Sequence, residues 1–170
     1  FYHEYLLSSD GAAARNYLQQ RGVTSETIKE FELGYSPGYG DALIRHLAKI
    51  GYTNEQMLTV GLLRGESTKQ YDQFRNRVMY PIRDQKSRTI GFGAREIDGS
   101  NPKYLNTPRT AIFDKGATLY GLDQAADTIR RLGVGVIVEG YMDVITAHQH
   151  GFTNVVASLG TALTPGQLVS

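Results

Sequence analysis

Cysteine is absent from the 170 residues of the chain. Its absence excludes disulfides, thiolate catalysis and cysteine-ligated zinc from this sequence. Apolar runs are short, and Val134–Val138, one of the longest, has far fewer than the roughly 20 residues that a helix needs to cross a bilayer. No positively charged segment followed by an apolar run opens the chain. The sequence therefore predicts a soluble, cytoplasmic protein with no membrane partner.

Common nucleotide-binding and metal-binding motifs are missing as well. The chain contains no GxxxxGK[ST] phosphate loop, and both Gly91-Phe-Gly93 and Gly133-Val-Gly135 lack the third glycine of a dinucleotide fingerprint. His148 and His150 are two residues apart, so on a helix their side chains diverge and cannot share a metal ion. These absences argue against a P-loop, a dinucleotide site and a histidine-based metal site.

The composition predicts a folded domain with a basic middle. Hydrophobic residues make up 41% of the chain and charged residues 21%, which excludes wholesale disorder. Residues 64–115 carry 11 Lys or Arg and 6 Asp or Glu, a net charge of +5, whereas the two flanking segments carry −2 each. Such a region is either a solvated face or a groove that binds phosphate groups, and charge alone leaves both interpretations open.

The first part of the chain has the pattern of a small α+β module. Apolar spacing and stop signals predict helices at Ala12–Arg21, from Thr24 or Ser25 through Glu30, at Asp41–Ile50, and from the capping box Thr53–Gln56 to near Gly61. Arg77–Ile82 and Thr89–Ile97 have the composition of strands joined by a turn. Leu33–Gly38 is predicted as a turn-rich connection, and Asn101–Lys115 as a long ordered loop.

The last third of the chain alternates helices with strands. Helices are predicted at Leu122–Arg131 and Tyr141–His150, and a second strand at Asn154–Ser158 follows a first one at Val134–Val138. The continuous apolar run of the first strand is typical of a strand covered on both faces. Thr164-Pro165 has the pattern of a helix cap followed by proline at the first helical position.

This order of elements predicts an α/β fold. The expected organisation is an α+β module over residues 1–115, followed by the first part of a parallel sheet over residues 116–170. A parallel sheet normally continues beyond two strands, so we expect the sequence to be a fragment of a longer protein.

Two carboxylates lie where an open α/β sheet places its ligands. Glu139 comes directly after the first parallel strand, and Asp143 lies in the first turn of the next helix. The same residues are equally well explained as a charge pair that stabilises the helix N-terminus. Magnesium needs several oxygen ligands, so Glu139 and Asp143 form an incomplete site, and further carboxylates are expected beyond Ser170.

The loop before residue 115 carries side chains suited to a nucleotide. Lys103 can hold a phosphate, Tyr104 can stack on a base, and Asn106 can hydrogen-bond to a sugar or base. Arginines in Phe74-Arg-Asn-Arg77 and Phe92-Gly-Ala-Arg95 can bind phosphate in a bidentate manner. All of these residue types also occur on ordinary solvated loops and strands, and composition alone does not decide between the two.

Several stretches, taken together and in order, are more specific than any one motif. They are Tyr17-Leu-Gln-Gln-Arg-Gly22, Phe31-Glu-Leu-Gly-Tyr35, Phe74-Arg-Asn-Arg-Val-Met-Tyr-Pro-Ile-Arg-Asp84, Gly91-Phe-Gly-Ala-Arg95, Pro102-Lys-Tyr-Leu-Asn-Thr-Pro108, Phe113-Asp-Lys115, Leu119-Tyr-Gly-Leu122, Glu139-Gly-Tyr-Met-Asp-Val144 and Val156-Ala-Ser-Leu-Gly-Thr161. Together they resemble one known family, the RNA polymerase core of bacterial DnaG-type DNA primases. The resemblance extends from about Gly11 to the end of the chain.

The resemblance implies a fold and an activity. The fold would be an N-terminal module packed on a Toprim domain, here present in part. The activity would be the synthesis of short RNA primers from ribonucleoside triphosphates on a single-stranded DNA template, with Mg²⁺ or Mn²⁺ as cofactor. Glu139 would be the metal-site carboxylate and acid–base residue. The basic groove would consist of Arg21, Arg95, Lys103, Tyr104 and Lys115.

The resemblance also has departures. Ala94 replaces a glycine that is common in the family, and Thr107 replaces a serine; both changes are small. The family's Asp-x-Asp metal motifs are expected after Ser170, its zinc module upstream of this sequence, and its helicase-binding domain downstream. The fragment alone is therefore expected to be inactive. Two alternatives remain open: a non-catalytic module that binds single-stranded nucleic acid, and the Toprim core of a primase–helicase.

Overall fold

The computed structural model describes residues 1–66, 69–99, 102–160 and 162–168. In these residues the helices are α1 (Tyr2–Leu7), α2 (Ala12–Gln20), α3 (Ser25–Glu30), α4 (Ala42–Lys49), α5 (Asn54–Thr59), α6 (Leu122–Leu132), α7 (Tyr141–Gln149) and α8 (Pro165–Leu168). The strands are β1 (Gly34–Ser36), β2 (Leu63–Glu66), β3 (Lys69–Asp72), β4 (Arg77–Arg83), β5 (Thr89–Glu96), β6 (Tyr104–Asn106), β7 (Val136–Val138) and β8 (Val155–Ala157). Short 3-10 turns lie at Ser9–Gly11 and Lys115–Ala117. The mixed α/β class predicted from the sequence is confirmed.

An antiparallel sheet with the strand order β1-β4-β5-β6 forms the centre of the molecule. In its register Val78 pairs with Arg95, and Arg95 pairs with Tyr104. Because side chains alternate along a strand, Val78 and Tyr80 face one side of this sheet and Met79 faces the other. Met79 packs in a smaller core with Tyr2, Leu43, Phe74 and Ala94.

The main core draws on both halves of the chain. Val78 and Tyr80 of β4 pack in one cluster with Leu18 of α2, Val144 of α7 and Leu159 after β8. The parallel pair β7–β8 is a separate two-stranded sheet; α6 precedes β7, and α7 connects β7 to β8. An isolated bridge joins Tyr120 to Ala157. The boundary at residue 115 stays a prediction, since the two halves share this core.

Capping explains where several helices begin. Thr24 and Thr53 accept hydrogen bonds from backbone N–H groups at the starts of α3 and α5, and the predicted capping box of Thr53 and Gln56 is present. Helix α4 is capped differently, because the buried carboxylate of Asp72 accepts hydrogen bonds from the N–H groups of Leu43 and Ile44 at 2.8 and 3.1 Å. Asp72 comes from β3, so this cap could not be predicted from local sequence.

Some expectations were wrong. The strand β7 was expected to be covered on both faces, but Val136 and Ile137, which point to opposite faces, are 43% and 41% exposed, so the described residues cover neither face fully. Leu33–Gly38 contains β1, and the loop Asn101–Lys115 contains β6; both are three-residue strands that pair with long neighbours. The helix α1 and the hairpin β2–β3 were missed. Asn101, Thr161 and Ser170, which the sequence analysis named, lie outside the described residues.

Candidate nucleic-acid interface

A buried arginine held between two tyrosine rings is at the centre of the site. The guanidinium of Arg95, on β5, lies 5.4 Å from the ring centroid of Tyr17 and 5.1 Å from that of Tyr104. Its Nη1 donates a hydrogen bond to the Tyr104 hydroxyl at 2.7 Å, and the residue is 8% exposed. Two cation–π contacts and a hydrogen bond therefore fix the orientation of this cation.

Tyr17 contacts a second cation from the same helix end. The guanidinium of Arg21 lies 5.3 Å from the Tyr17 centroid. Burial raises the pKa of Tyr17, and the positive charges of Arg95 and Arg21 oppose that rise. The sequence analysis named Tyr17 only within the stretch Tyr17-Leu-Gln-Gln-Arg-Gly22 and gave it no binding role. Its spacing of four residues from Arg21 is the signal that could have indicated the contact, because residues four apart share one helix face.

Tyr104 and Asn106 of β6 differ in how accessible their side chains are to a ligand. Tyr104 is 43% exposed, so its ring has a free surface for stacking. The side-chain amide of Asn106 is already engaged at both ends: its oxygen accepts a hydrogen bond from the Tyr141 hydroxyl at 2.6 Å, and its nitrogen donates to the Leu159 carbonyl at 3.2 Å. Asn106 thus ties the edge strand of the antiparallel sheet to the segment after β8.

Tyr141, the first residue of α7, is packed on all sides. Its ring stacks on Tyr80 with centroids 4.8 Å apart, and meets Tyr120 edge-on at 4.8 Å. A Cβ atom at Gly93 would lie only 2.2 Å from a ring carbon of Tyr141. Gly93 is therefore required by this ring, which places the start of α7 against β5.

We expect Gly93→Ala to destabilise the chain by about 3 kcal/mol, the upper part of the range for overpacked cores, because the methyl group would displace the Tyr141 ring. Gly38→Ala is the matched control, since nothing lies within 4 Å of a Cβ at that position. Urea unfolding of both variants measures the difference. Equal stability of the two would contradict the packing account.

Glu139 lies at the carboxyl end of the parallel pair. It follows Val138, whose carbonyl accepts a hydrogen bond from the Ser158 N–H at 3.2 Å, so the ends of β7 and β8 lie side by side. Glu139 is exposed and has no hydrogen bond or ion pair with any other described residue. Its carboxylate is therefore free for a ligand.

Asp143, the other predicted metal ligand, has one carboxylate oxygen engaged within the chain. One of its carboxylate oxygens accepts a hydrogen bond from the Gly140 N–H at 3.0 Å, which caps α7. Across the ranges that the structure describes, no group of three or more His, Asp or Glu side chains could hold a metal ion. Glu139 is thus available as one oxygen ligand, and the described residues supply no complete set.

The two lysines predicted to bind phosphate, Lys103 and Lys115, differ in their position relative to Arg95 and Tyr104. Lys103 is exposed directly before β6, next to Tyr104. Lys115 lies in the second 3-10 turn, where its carbonyl accepts a hydrogen bond from the Gln167 side chain at 2.8 Å. Contacts between described residues link Arg21, Arg95, Tyr104 and Asn106 into one surface, but none links Lys115 to it.

Two ranges of the chain match known protein families. Residues 133–170 match the family described as Toprim domain, so the second part of the chain is of the Toprim class of α/β proteins. Residues 1–126 match the family described as DNA primase catalytic core, N-terminal domain. The chain belongs to this family of DNA primase catalytic cores. None of its described helices is long and apolar enough to span a bilayer.

Known relatives agree with this assignment. A DNA primase of Deinococcus radiodurans is 52% identical over 163 residues, which cover 95% of this chain and 28% of the relative. The RNA polymerase domain of Mycobacterium tuberculosis primase DnaG, in complex with double-stranded DNA carrying a 6-nucleotide overhang, matches with a TM-score of 0.94 and 36% identity over 99% of this chain and 54% of that one. A DnaG primase catalytic domain bound to single-stranded DNA matches with a TM-score of 0.91 and 39% identity, over 99% and 53% of the two chains. The chain thus spans between a quarter and a third of the length of such curated relatives.

Proposed function

We propose that this chain is part of a primase that makes short RNA primers on single-stranded DNA by metal-dependent nucleotidyl transfer. The observation that carries the proposal is the oriented Arg95–Tyr104 pair, tied through Asn106 and Tyr141 to the strand end that bears Glu139. The catalytic domain bound to single-stranded DNA among the structural neighbours supports it.

The surface residues have separate tasks in this proposal. Arg21 and Arg95 bind phosphates of the template or the nucleotide, since a guanidinium matches phosphate oxygens in a bidentate manner. Lys103 adds a point charge beside them, and the exposed ring of Tyr104 stacks on a base. Asn106 acts through its two hydrogen bonds as a positioning residue, because its amide is already engaged. Lys115 remains a proposed nucleotide contact, although no contact between described residues links it to the other four.

The chemistry of the strand end follows from its charge. Phosphoryl transfer depends mostly on positioning and on neutralising charge. A divalent cation bound there would neutralise the triphosphate, and Glu139 is the described residue best placed to hold it, with the free carboxylate oxygen of Asp143 as a second donor. In this proposal the longer protein supplies the further carboxylates and a zinc module. It uses ribonucleoside triphosphates as substrates and has a replicative helicase as its partner.

We expect Lys103→Ala to weaken binding of single-stranded DNA about tenfold. A hydrogen bond to a charged group is worth about 1.5–3 kcal/mol, and the low end applies because Lys103 is exposed. The slope of log affinity against log salt concentration should fall by about 0.7, the value for one phosphate contact on a single strand. Fluorescence anisotropy with a labelled oligonucleotide at several salt concentrations measures both quantities.

Lys86→Ala is the matched control, because Lys86 lies in the same basic segment but in the exposed turn between β4 and β5. Affinity unchanged in Lys103→Ala, or reduced equally in both variants, would count against the proposed interface.

A non-catalytic binding module is the second candidate. It is favoured by one observation, that the described residues include an arginine–tyrosine surface but no complete metal-binding group. Primer synthesis by the longer protein separates the two: DNA binding with no synthesis under any divalent cation would select the binding module.

A further inference from the structure

The turn that follows α2 is held against the last residue of α7 by one amide side chain. The side-chain nitrogen of Gln149 donates a hydrogen bond to the Gly22 carbonyl at 2.8 Å, and its side-chain oxygen accepts one from the Thr24 N–H at 2.9 Å. The bonded residues are 127 and 125 positions apart in the sequence. Gln149 thus engages both polar ends of its amide with the backbone of this turn.

The same turn carries Arg21, one of the residues proposed above to bind phosphate. Arg21 is the C-cap residue of α2 and directly precedes Gly22. It is exposed and forms no ion pair with any other described residue, so its charge is available to a ligand. The contact with Tyr17 fixes the guanidinium relative to α2, whereas Gln149 fixes the end of α2 relative to α7. Together the two contacts determine where this cation lies relative to α7.

An open groove of about 570 Å³ lies between Arg21 and α7. Its α7 side includes Asp143, Thr146 and His150, which are spaced three and four residues apart and therefore share one helix face. The groove thus extends from the first turn of α7, close in sequence to Glu139, to the end of the helix. A phosphate bound by Arg21 in this groove lies on the same side of α7 as Asp143, the proposed second donor to the divalent cation.

The backbone after Arg21 needs an external support to keep this position. Gly22 has a φ of +77°, and glycine is the residue with the greatest conformational freedom in an unfolded or loosened segment. If the turn were free to move, phosphate binding would have to order it first, and this cost would be subtracted from the affinity. The two hydrogen bonds of Gln149 order the turn before a ligand binds.

We propose that Gln149 is a positioning residue of the primase site: it holds the end of α2 against α7, so that Arg21 keeps a bound phosphate in the groove that begins beside Glu139. The proposal rests on the function proposed above, because it requires Arg21 to bind phosphate. Gln149 itself has both ends of its amide engaged and does not contact the ligand. Its effect on binding therefore passes through Arg21, and this dependence can be measured.

The test is a double-mutant cycle on the whole chain, with Gln149→Met, Arg21→Gln and the two combined. Methionine keeps the length of the side chain but removes both hydrogen bonds. We expect Arg21→Gln to weaken binding of single-stranded DNA about tenfold, near the low end for a contact with a charged group. Gln149→Met should weaken it about threefold, because it loosens Arg21 without removing its charge. The double variant should bind as weakly as Arg21→Gln alone.

Thr128→Val is the matched control. The Thr128 hydroxyl shares a hydrogen bond of 3.0 Å with the Thr153 hydroxyl, which ties α6, rather than α2, to the segment after α7. Thermal unfolding should show a similar small loss of stability in Thr128→Val and Gln149→Met, but only Gln149→Met should weaken DNA binding. In fluorescence anisotropy the slope of log affinity against log salt concentration should fall by about 0.7 in Arg21→Gln, by less in Gln149→Met and not at all in Thr128→Val.

The possible outcomes separate this proposal from the one on which it rests. Wild-type affinity in Gln149→Met would overturn the positioning role, and so would a threefold loss that persists when Arg21 is already replaced. If Arg21→Gln binds like the wild-type chain while Lys103→Ala binds more weakly, the interface stands and the role of Gln149 is overturned. If neither substitution lowers the affinity, or the wild-type chain does not bind single-stranded DNA, the proposed function itself fails.

Discussion

Glu139→Gln in the longer protein should reduce primer synthesis by at least about 100-fold. The substitution removes the charge at the carboxyl end of β7 but keeps the shape of the side chain. Even residues that only hydrogen-bond to the ligands of a metal ion contribute about 10- to 100-fold to metal affinity or activity, so a direct ligand should contribute more. The fold should be unaffected, because Glu139 is exposed and has no partner among the described residues.

Nucleotide incorporation on a single-stranded template measures the activity, and thermal unfolding measures the fold. Asp127→Asn is a suitable control, since Asp127 is an exposed carboxylate of α6 whose partner is Arg130. The 170-residue chain itself should show no synthesis with magnesium or manganese. Near-normal synthesis by the Glu139→Gln protein would refute the metal-ligand role, and synthesis by the bare chain would show that its own residues complete the site.

The second large effect is expected at alkaline pH. Burial raises the pKa of four tyrosines, Tyr2, Tyr80, Tyr120 and Tyr141, far above the ordinary value. In the unfolded chain these residues lose their protons near pH 10, but in the folded chain they do not. Their contribution to stability is therefore complete below about pH 10 and is lost as the pH rises above it.

The size of this loss follows from linkage. Each such tyrosine costs about 1.4 kcal/mol of stability per pH unit above 10, so four together cost between about 5 and 6 kcal/mol per unit. A domain of this size is stable by roughly 5–15 kcal/mol, so we expect cooperative unfolding within one or two pH units above 10. Circular dichroism reports unfolding, and tyrosinate absorbance reports ionisation.

Two substitutions sharpen the test. Tyr80→Phe should move the unfolding to higher pH and lower its steepness by about a quarter, because the Tyr80 hydroxyl is buried with no hydrogen-bond partner in the described structure. Tyr52→Phe should have no effect, because Tyr52 is 53% exposed. Ionisation of all eleven tyrosines near pH 10 with the fold intact would refute the prediction.

Local sequence signals were sufficient for most helices and for the two long strands. The caps at Thr24 and Thr53 and the strands β4 and β5 were predicted within one or two residues, because capping and alternation are properties of neighbouring residues. The short strands β1 and β6 could not be predicted in this way. Each has three residues and exists because a long neighbour supplies its hydrogen bonds.

The site was predictable in part. Arg95, Tyr104 and Arg21 were named from the family resemblance, and the structure brings them together through Tyr17. What the sequence could not supply is which polar groups are already engaged. The amide of Asn106 is engaged with Leu159 and Tyr141, which are distant in sequence, so this pairing depends on three-dimensional contacts. The bond from the Gly140 N–H to Asp143 is local, and the sequence left a role of Asp143 at the helix N-terminus open beside that of a metal ligand.

The shared core has a consequence for the synthesis of the protein on the ribosome. Leu6 and Leu18, near the start of the chain, are buried in the same cluster as Val155 and Leu159 near its end. The first helices therefore emerge long before the residues that will cover their apolar faces. Until Leu159 is free of the exit tunnel, this segment of a nascent chain has a sheet and helices with no completed core, a state open to aggregation. This segment can therefore complete its core only after the residues near Leu159 have been translated.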